Sequence, residues 1–368
     1  MIAKILVALL SMSSVLSIND SLLANFQSQY SKFLLKINKT IKSPDEFNYR
    51  LNLYVAKKKE IDEFNSLNFS YQKGLNFFSD MTVEERFKFL GDRDSDPESA
   101  PVVQRADSTD GNSETGSMAT GDSVLPTINN LNLSLIFPIN FFNFVIPQKK
   151  DWSSEGKVTP VKNQGSCGSC WAFAATAAVE AAYKMKHNLN LDLSEQELVD
   201  CSKQLGSNGC EGGFAQGGLD YFKSFGVRSE GLYPYTAKNG VCKPRTSTGQ
   251  KIKSYVAVAP RNMLSYINNL KLQPMTTSFY VVNSFFDYKN GVYNADKECT
   301  NLESKGTNHA VLAVGYDLNS PKPFIKLKNS WGVNWGENGF FRISMKKTIT
   351  QDGPCNLIKR DRTFYPVL

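Results

Sequence analysis

Histidine is scarce in this chain: His187 and His309 are the only two in 368 residues. Chemistry that needs an imidazole near neutral pH therefore has two candidates and no more. Cysteine is missing from the first 166 positions, and all seven (Cys167, Cys170, Cys201, Cys210, Cys242, Cys299 and Cys355) come later. Cys167-x-x-Cys170 has no second closely spaced pair behind it, so the ligand spacing of a structural zinc site is not met and no metal or organic cofactor is expected. No segment after the N-terminus holds about eighteen uninterrupted apolar residues, which argues against a membrane span in the mature chain. Lys and Arg are scattered rather than clustered beside aromatic platforms, which argues against nucleic-acid binding despite a formal net charge of +7. Aromatic residues are absent from 92–122, where eight acidic and two basic side chains sit among Ser, Thr, Gly and Pro. Such a stretch cannot build a core and reads as a linker.

What is present is unevenly placed. Residues 1–145 carry 14 basic and 17 acidic side chains, and 146–368 carry 28 and 18. An acidic front half and a basic back half suggest two parts that attract each other. Lys4 precedes the largely apolar run 5–16, which ends in Val15-Leu16-Ser17. The run is too short to span a membrane and has the pattern of a secretory signal peptide, expected over 1–17. Secretion permits disulfides, and an odd cysteine count then leaves one thiol to be explained. N-x-S/T sequons stand at Asn19, Asn38, Asn68 and Asn132.

Residues 20–90 read as helical. Ser43-Pro44-Asp45-Glu46 is a helix start, after which Phe47, Leu51, Tyr54, Ile61 and Phe64 form one apolar stripe interrupted by Lys58. Thr82-x-x-Glu85 opens a further short helix. In 146–368 helices come first, over Cys170–Lys184 and Ser194–Cys201. Strands are expected over Tyr255–Val258, Phe279–Val282, His309–Tyr316, Phe324–Lys328 and Gly339–Ile343. That order predicts an α+β protein of two packed lobes.

The most specific signal is Gln164-Gly165-Ser166-Cys167-Gly168-Ser169-Cys170-Trp171-Ala172-Phe173. A tight turn runs straight into a helix, so Cys170 sits where the positive end of the helix dipole favours a thiolate, the nucleophilic form. Acyl transfer by a thiolate needs a proton donor and acceptor. His187 follows the polar end of a helix, whereas His309 opens an apolar strand and is the better base. Asn329, in Asn329-Ser330-Trp331-Gly332, can orient the imidazole, with Trp331 shielding the contact. Gln164 can offer a side-chain N–H to a developing oxyanion, beside the backbone N–H of Cys170. Seven choices of free thiol and 15 pairings of the rest leave about 105 disulfide arrangements open.

These segments resemble the papain family of cysteine peptidases over nearly the whole chain. Asn308-His309-Ala310 is similar to that family's base segment, 139 residues after Cys170, and Asn329 follows 159 after it. The resemblance implies Cys170 as nucleophile, His309 as base and acid, Asn329 as orienting group and Gln164 as oxyanion donor. It also implies disulfides Cys167–Cys210, Cys201–Cys242 and Cys299–Cys355, which leave Cys170 free. Gly209-Cys210-Glu211-Gly212-Gly213 is similar to the strip that binds the substrate backbone. Phe214, Ala215, Ser278 and Thr307 would line the second substrate pocket, Trp331 would border the cleft, and Arg360 or Arg362 would close the pocket floor.

The front half resembles a cathepsin L-like prosegment: Glu46, Arg50, Ile61 and Asn65 fit its helix motif, Tyr54 and Lys57 depart from it, and Gly74-Leu75-Asn76-Phe77-Phe78-Ser79-Asp80 fits a second motif. The resemblance implies a two-lobed papain-like fold, with a helical N-terminal lobe and a β-barrel-like C-terminal lobe behind a helical prosegment. The expected division is a signal peptide (1–17), inhibitory prosegment (18–90), acidic linker and end of the prosegment (91–145) and catalytic domain (146–368). The implied function is a cysteine endopeptidase made as an inactive precursor and bound for the lysosome, the vacuole or the extracellular space. It would act on polypeptides as a monomer, with its own prosegment and protein inhibitors of cysteine peptidases as partners. The competing reading is a catalytically silent binding or inhibitory protein of the same fold.

Overall fold

The computed structural model describes residues 23–92 and 147–368, except 246, 303 and 346–351. The signal-peptide run, the sequons at Asn19 and Asn132 and nearly all of the acidic linker lie outside the described residues. Two compact units divide the chain: Met1–Arg93 with Gln148–Leu368, and Asp94–Pro147.

The described front part is built on two helices, α1 (23–36) and α2 (Pro44–Ser66). Ser43 caps α2 by accepting from the backbone N–H of Glu46, and Pro44 takes the first helical position, where its missing N–H costs nothing. Tyr30, Phe33 and Leu34 of α1 bury against Leu51 and Tyr54 of α2. The lysine buried in the α2 stripe is Lys57, not Lys58; Lys58 pairs with Asp62 at the surface. Asp80 is fully buried at the base of the pair, where it accepts from the Tyr30 hydroxyl (2.8 Å) and from Lys39 Nζ (2.7 Å). Thr82 and Glu85 close a full capping box on α3 (Val83–Phe87). Arg50 forks onto the Glu85 carboxylate (Nη2–Oε1 2.7 Å) and holds it down to about 2.

The back part packs one long helix, α4 (Cys170–His187), against a sheet. Its alanines bury almost to the last turn, so the helix lies close against the central strand, and Asn188 in the left-handed conformation ends it. The strands are β1 (Tyr71–Lys73), β2 (Lys149–Asp151), β3 (Ser254–Ala257), β4 (Met275–Phe279), β5 (Tyr288–Tyr293), β6 (His309–Asp317), β7 (Phe324–Lys328), β8 (Phe340–Ser344) and β9 (Phe364–Val367). Their order is β1-β5-β8-β7-β6-β4-β9-β3, with β2 added to β6. β4 lies earlier than the run Phe279–Val282 chosen from its apolar side chains. Thr276, Thr277 and Ser278 bury at strand positions because β6 and β9 flank them, a tertiary condition that polar residues do not advertise. Strand β1 belongs to the front part and pairs with β5 of the back part, Tyr71 opposite Gly291. A Cβ on Gly291 would stand 2.5 Å from the Ser70 carbonyl oxygen, so only glycine lets that strand approach.

Three disulfides join Cys167 to Cys210, Cys201 to Cys242 and Cys299 to Cys355, and the one free thiol is the buried Cys170. Among the described residues no helix is long and apolar enough to cross a membrane.

Candidate active site

Cys170 opens α4 and His309 opens β6, so the contact of helix and central strand brings the thiol and the imidazole to one end of the interface. The backbone N–H of Ala310 donates to Cys170 Sγ at 3.4 Å. His309 Nε2 lies 2.8 Å from Asn329 Oδ1, just beyond β7. Trp331 covers that contact, its ring centroid 4.7 Å from the imidazole. Gln164 reaches the same place: its Oε1 accepts from Ser330 Oγ (2.6 Å) and its backbone N–H donates to the Ser330 carbonyl (2.8 Å). His187 lies at the far end of α4, its ring tilted against that of Tyr183. Cys170, His309, Asn329 and Gln164 thus meet, and His187 does not join them.

The end of the front part occupies this cleft. Gln164 Nε2 donates to the carbonyl of Phe89 at 2.8 Å, and also to that of Cys167. The Gly91 carbonyl accepts from the backbone N–H of Gly213 (2.8 Å), and the Asp92 N–H donates to the Asn308 carbonyl (3.1 Å). Asp92 pairs with Gly213 in parallel, and its carboxylate accepts from the Thr307 hydroxyl. A Cβ on Gly91 would fall 1.7 Å from the Gly168 carbonyl oxygen, so the strap can lie this deep only because it is glycine. Gly212 lies beside the contact with a positive φ (+114°), and its carbonyl accepts from Asn208 N–H.

The strap decides the protonation of the site. Burial pushes the Cys170 thiol up to about 12, with the Asp92 charge adding to it against the backbone N–H groups of Ala310, Gly91 and Trp171. Burial also pushes His309 down to about 4, against its Asn329 contact. Both shifts favour the neutral thiol and neutral imidazole. The helix dipole alone predicts a thiolate; in the covered cleft desolvation outweighs it.

Of the residues expected to line the second substrate pocket, Ala215, Ser278 and Thr307 are buried and Phe214 is half-buried. Ser278 stands opposite Ala310 in the sheet. Arg362 lies over the Phe214 ring, its guanidinium carbon 4.0 Å from the centroid, whereas Arg360 is exposed.

Several neighbours escaped the sequence reading. Glu180, the one acid in α4, accepts from Thr159 (2.6 Å) and Lys162 (3.0 Å), and Lys162 also donates to Glu195. Lys162, Glu180 and Glu195, with Lys328, line a cavity of about 20 Å³ that Asn329 and Ser330 also line. A lone acid inside an alanine-rich helix was the available signal. Asp287, fully buried in the back part, receives Lys57 (2.9 Å) and faces Arg86 (3.8 Å), both from the front part. Beside it Phe78 packs edge-on against Phe286 (4.8 Å) and Trp331 (5.0 Å), two rings that stack on each other.

The chain belongs to the papain family of cysteine proteases: the model of that family matches residues 146–362, and the cathepsin propeptide inhibitor domain matches 30–86. It is 35% identical over 331 residues to cysteine proteinase 3 of Solanum lycopersicum, covering 89% of this chain and 82% of that protein. It is 36% identical over 342 residues to chymopapain of Carica papaya, covering 92% and 85%. Among solved structures, a recombinant stem bromelain precursor superimposes with a TM-score of 0.72 at 30% identity, over 94% of this chain and 99% of that one. A digestive procathepsin L 3 of Tenebrio molitor larval midgut gives 0.72 at 26% identity, over 93% and 99%. The protein is a papain-type cysteine protease made as a zymogen with an inhibitory propeptide.

Proposed function

We propose that the zymogen yields an endopeptidase working through Cys170, His309, Asn329 and Gln164. With the strap gone, the Cys170 thiol gives its proton to His309 and the thiolate attacks the scissile carbonyl carbon. Gln164 Nε2–H and the Cys170 backbone N–H hold the oxyanion. The C–N bond then breaks, the leaving amine takes the proton from His309, and a thioester remains. Water attacks the thioester with His309 as base, the carboxylic acid departs, and the thiol is restored. Asn329 keeps the imidazole turned toward the reacting atoms and Trp331 keeps water off that contact.

The observation that carries this reading is the Gln164 amide donating to a main-chain carbonyl, that of Phe89, beside the one free cysteine. A carbonyl already sits where a substrate's would be polarised. Phe214, Ala215, Ser278 and Thr307 would form the neighbouring side-chain pocket, with Gly212 and Gly213 binding the substrate backbone. In this division 1–17 is a signal peptide, 18–90 the prosegment with its strap running on to Asp92, the remainder to 145 the linker, and 146–368 the catalytic domain. Three disulfides suit an oxidising compartment, so the secretory pathway leading to a lysosome, a vacuole or the exterior is its proposed route. Labelling by a thiol-directed epoxide tests the reading: Cys170 should take the reagent after acid treatment and resist it before. Equal resistance in both states would support the silent binding protein instead.

A further inference from the structure

We propose that Arg362 makes the pocket beside Gly213 selective for an acidic side chain, so that the mature enzyme prefers Asp or Glu two residues before the scissile bond. The proposal rests on the hydrolase reading above. Phe214 follows directly on Gly213, whose N–H binds the Gly91 carbonyl of the strap. The Arg362 guanidinium stacks on the ring of Phe214 at 4.0 Å and is therefore held at the cleft rather than extended into solvent. Stacking uses one flat face of the guanidinium and leaves its N–H edge free to bond in the plane. Its Nε is buried and has no hydrogen-bond partner among the described residues. A donor so placed gains from an acceptor, and a carboxylate matches its geometry and its charge.

Beside Gly213 the chain already places a carboxylate of its own. Thr307 donates its hydroxyl to Asp92, whose backbone pairs with Gly213. The Asn356 side chain donates to the carbonyls of Leu302, Lys305 and Gly306. That fixes the loop leading to Thr307 against the segment leading to Arg362. The surroundings of Gly213 and Phe214 thus offer a hydroxyl and a stacked cation, and an acidic residue of the chain itself lies at the hydroxyl. Arg360 is exposed and takes no part.

The test uses the full precursor, activated by acid and counted by epoxide titration so that only competent sites enter the rate. Peptide libraries are varied on both sides of the scissile bond, and kcat/KM for Glu is divided by that for its uncharged isostere Gln. The wild type should favour Glu by about tenfold at the second position before the bond and nowhere else. Arg362→Ala should bring the ratio to about one, and Arg362→Glu should turn the preference toward Lys. A wild-type ratio at or below one, which needs no variant to measure, overturns the proposal. So does a ratio unchanged in Arg362→Ala. A preparation that neither takes the epoxide nor cleaves any peptide refutes the hydrolase reading, and this one with it.

Discussion

All three disulfides lie in residues 147–368, whereas the described prosegment, 23–92, has no cysteine and is held by aromatic contacts and ion pairs around two helices. The carboxylates of the two regions also differ. In the prosegment Arg50 holds Glu85 down to about 2, and Glu60, despite partial desolvation, is held low by Lys57 and Lys73. In the catalytic part burial raises Asp220, Glu230 and Asp287; Asp151, kept low despite burial by Lys326 and Ser153, is the exception. A depressed carboxylate contributes stability that is present above its ordinary pKa, about 4, and is lost as pH falls through its folded value. A raised one loses nothing on acidification. Acid therefore removes support from the inhibitor and leaves the enzyme standing.

Polarity sharpens the contrast. Residues 23–91 carry 11 basic and 8 acidic side chains, so the acidic excess of the front half belongs to 92–122. At the buried contact the prosegment supplies the cations, Lys57 and Arg86, and the catalytic part the anion, Asp287. Because burial raises Asp287 in this complex, acidification does not break that contact by itself. The support that acid removes is carried instead by Glu85 and Glu60, which pair within the prosegment.

The largest expected effect separates chemistry from latency. Cys170→Ala should lower kcat/KM by at least about 10⁴-fold and leave a precursor that stays in one piece at acid pH, so that melting of the prosegment can be followed by circular dichroism alone. Turnover within tenfold of the wild type would sink the covalent mechanism. Next comes Phe78→Ala, which removes the ring packed edge-on against the stacked pair Phe286 and Trp331. Deleting a buried Phe side chain costs about 3–5 kcal/mol, so epoxide labelling of Cys170 in the precursor at neutral pH should be about 100-fold faster. An unchanged labelling rate would mean that this aromatic contact does not hold the strap.

Lys57→Ala should accelerate the same labelling by about tenfold, less than Phe78→Ala because Arg86 still faces Asp287. The companion Asp287→Asn should then make Lys57→Ala nearly silent; additive effects would show that the two do not act as a pair. The smallest effect is a shift in pH. With Glu85→Gln the support lost between about pH 4 and 2 is absent throughout, so latency should begin to fail at a higher pH than in the wild type. A midpoint that stays put or moves to lower pH contradicts the division drawn above.

The candidate site residues were legible because they are local or scarce. The run Gln164–Phe173 specifies a turn and a helix start by its own backbone preferences, and two histidines leave little choice of base. The resemblance to the prosegment motifs located the inhibitor, and the period of the α2 stripe showed which face must pack. What could not be read are facts about distance across the chain. Lys57 meets Asp287 across 230 residues, and no local pattern distinguishes a lysine destined for burial from its exposed neighbour Lys58. Strand β4 is polar in sequence and central in the sheet because two neighbours cover it. Counting along the chain left Arg360 and Arg362 equivalent, and packing gave the Phe214 face to Arg362.

By itself, then, the sequence determined which groups are present and which local structures carry them: a cysteine at a helix start, a histidine at a strand start, an apolar stripe on a charged helix. These follow from propensities and spacing over a few residues. Only the tertiary structure decided what each group is at neutral pH and what it touches. The same Cys170 that its helix would ionise is a thiol here, because Gly91 and Asp92 exclude water from it. Charge depends on solvation, and solvation depends on which distant segment lies on top.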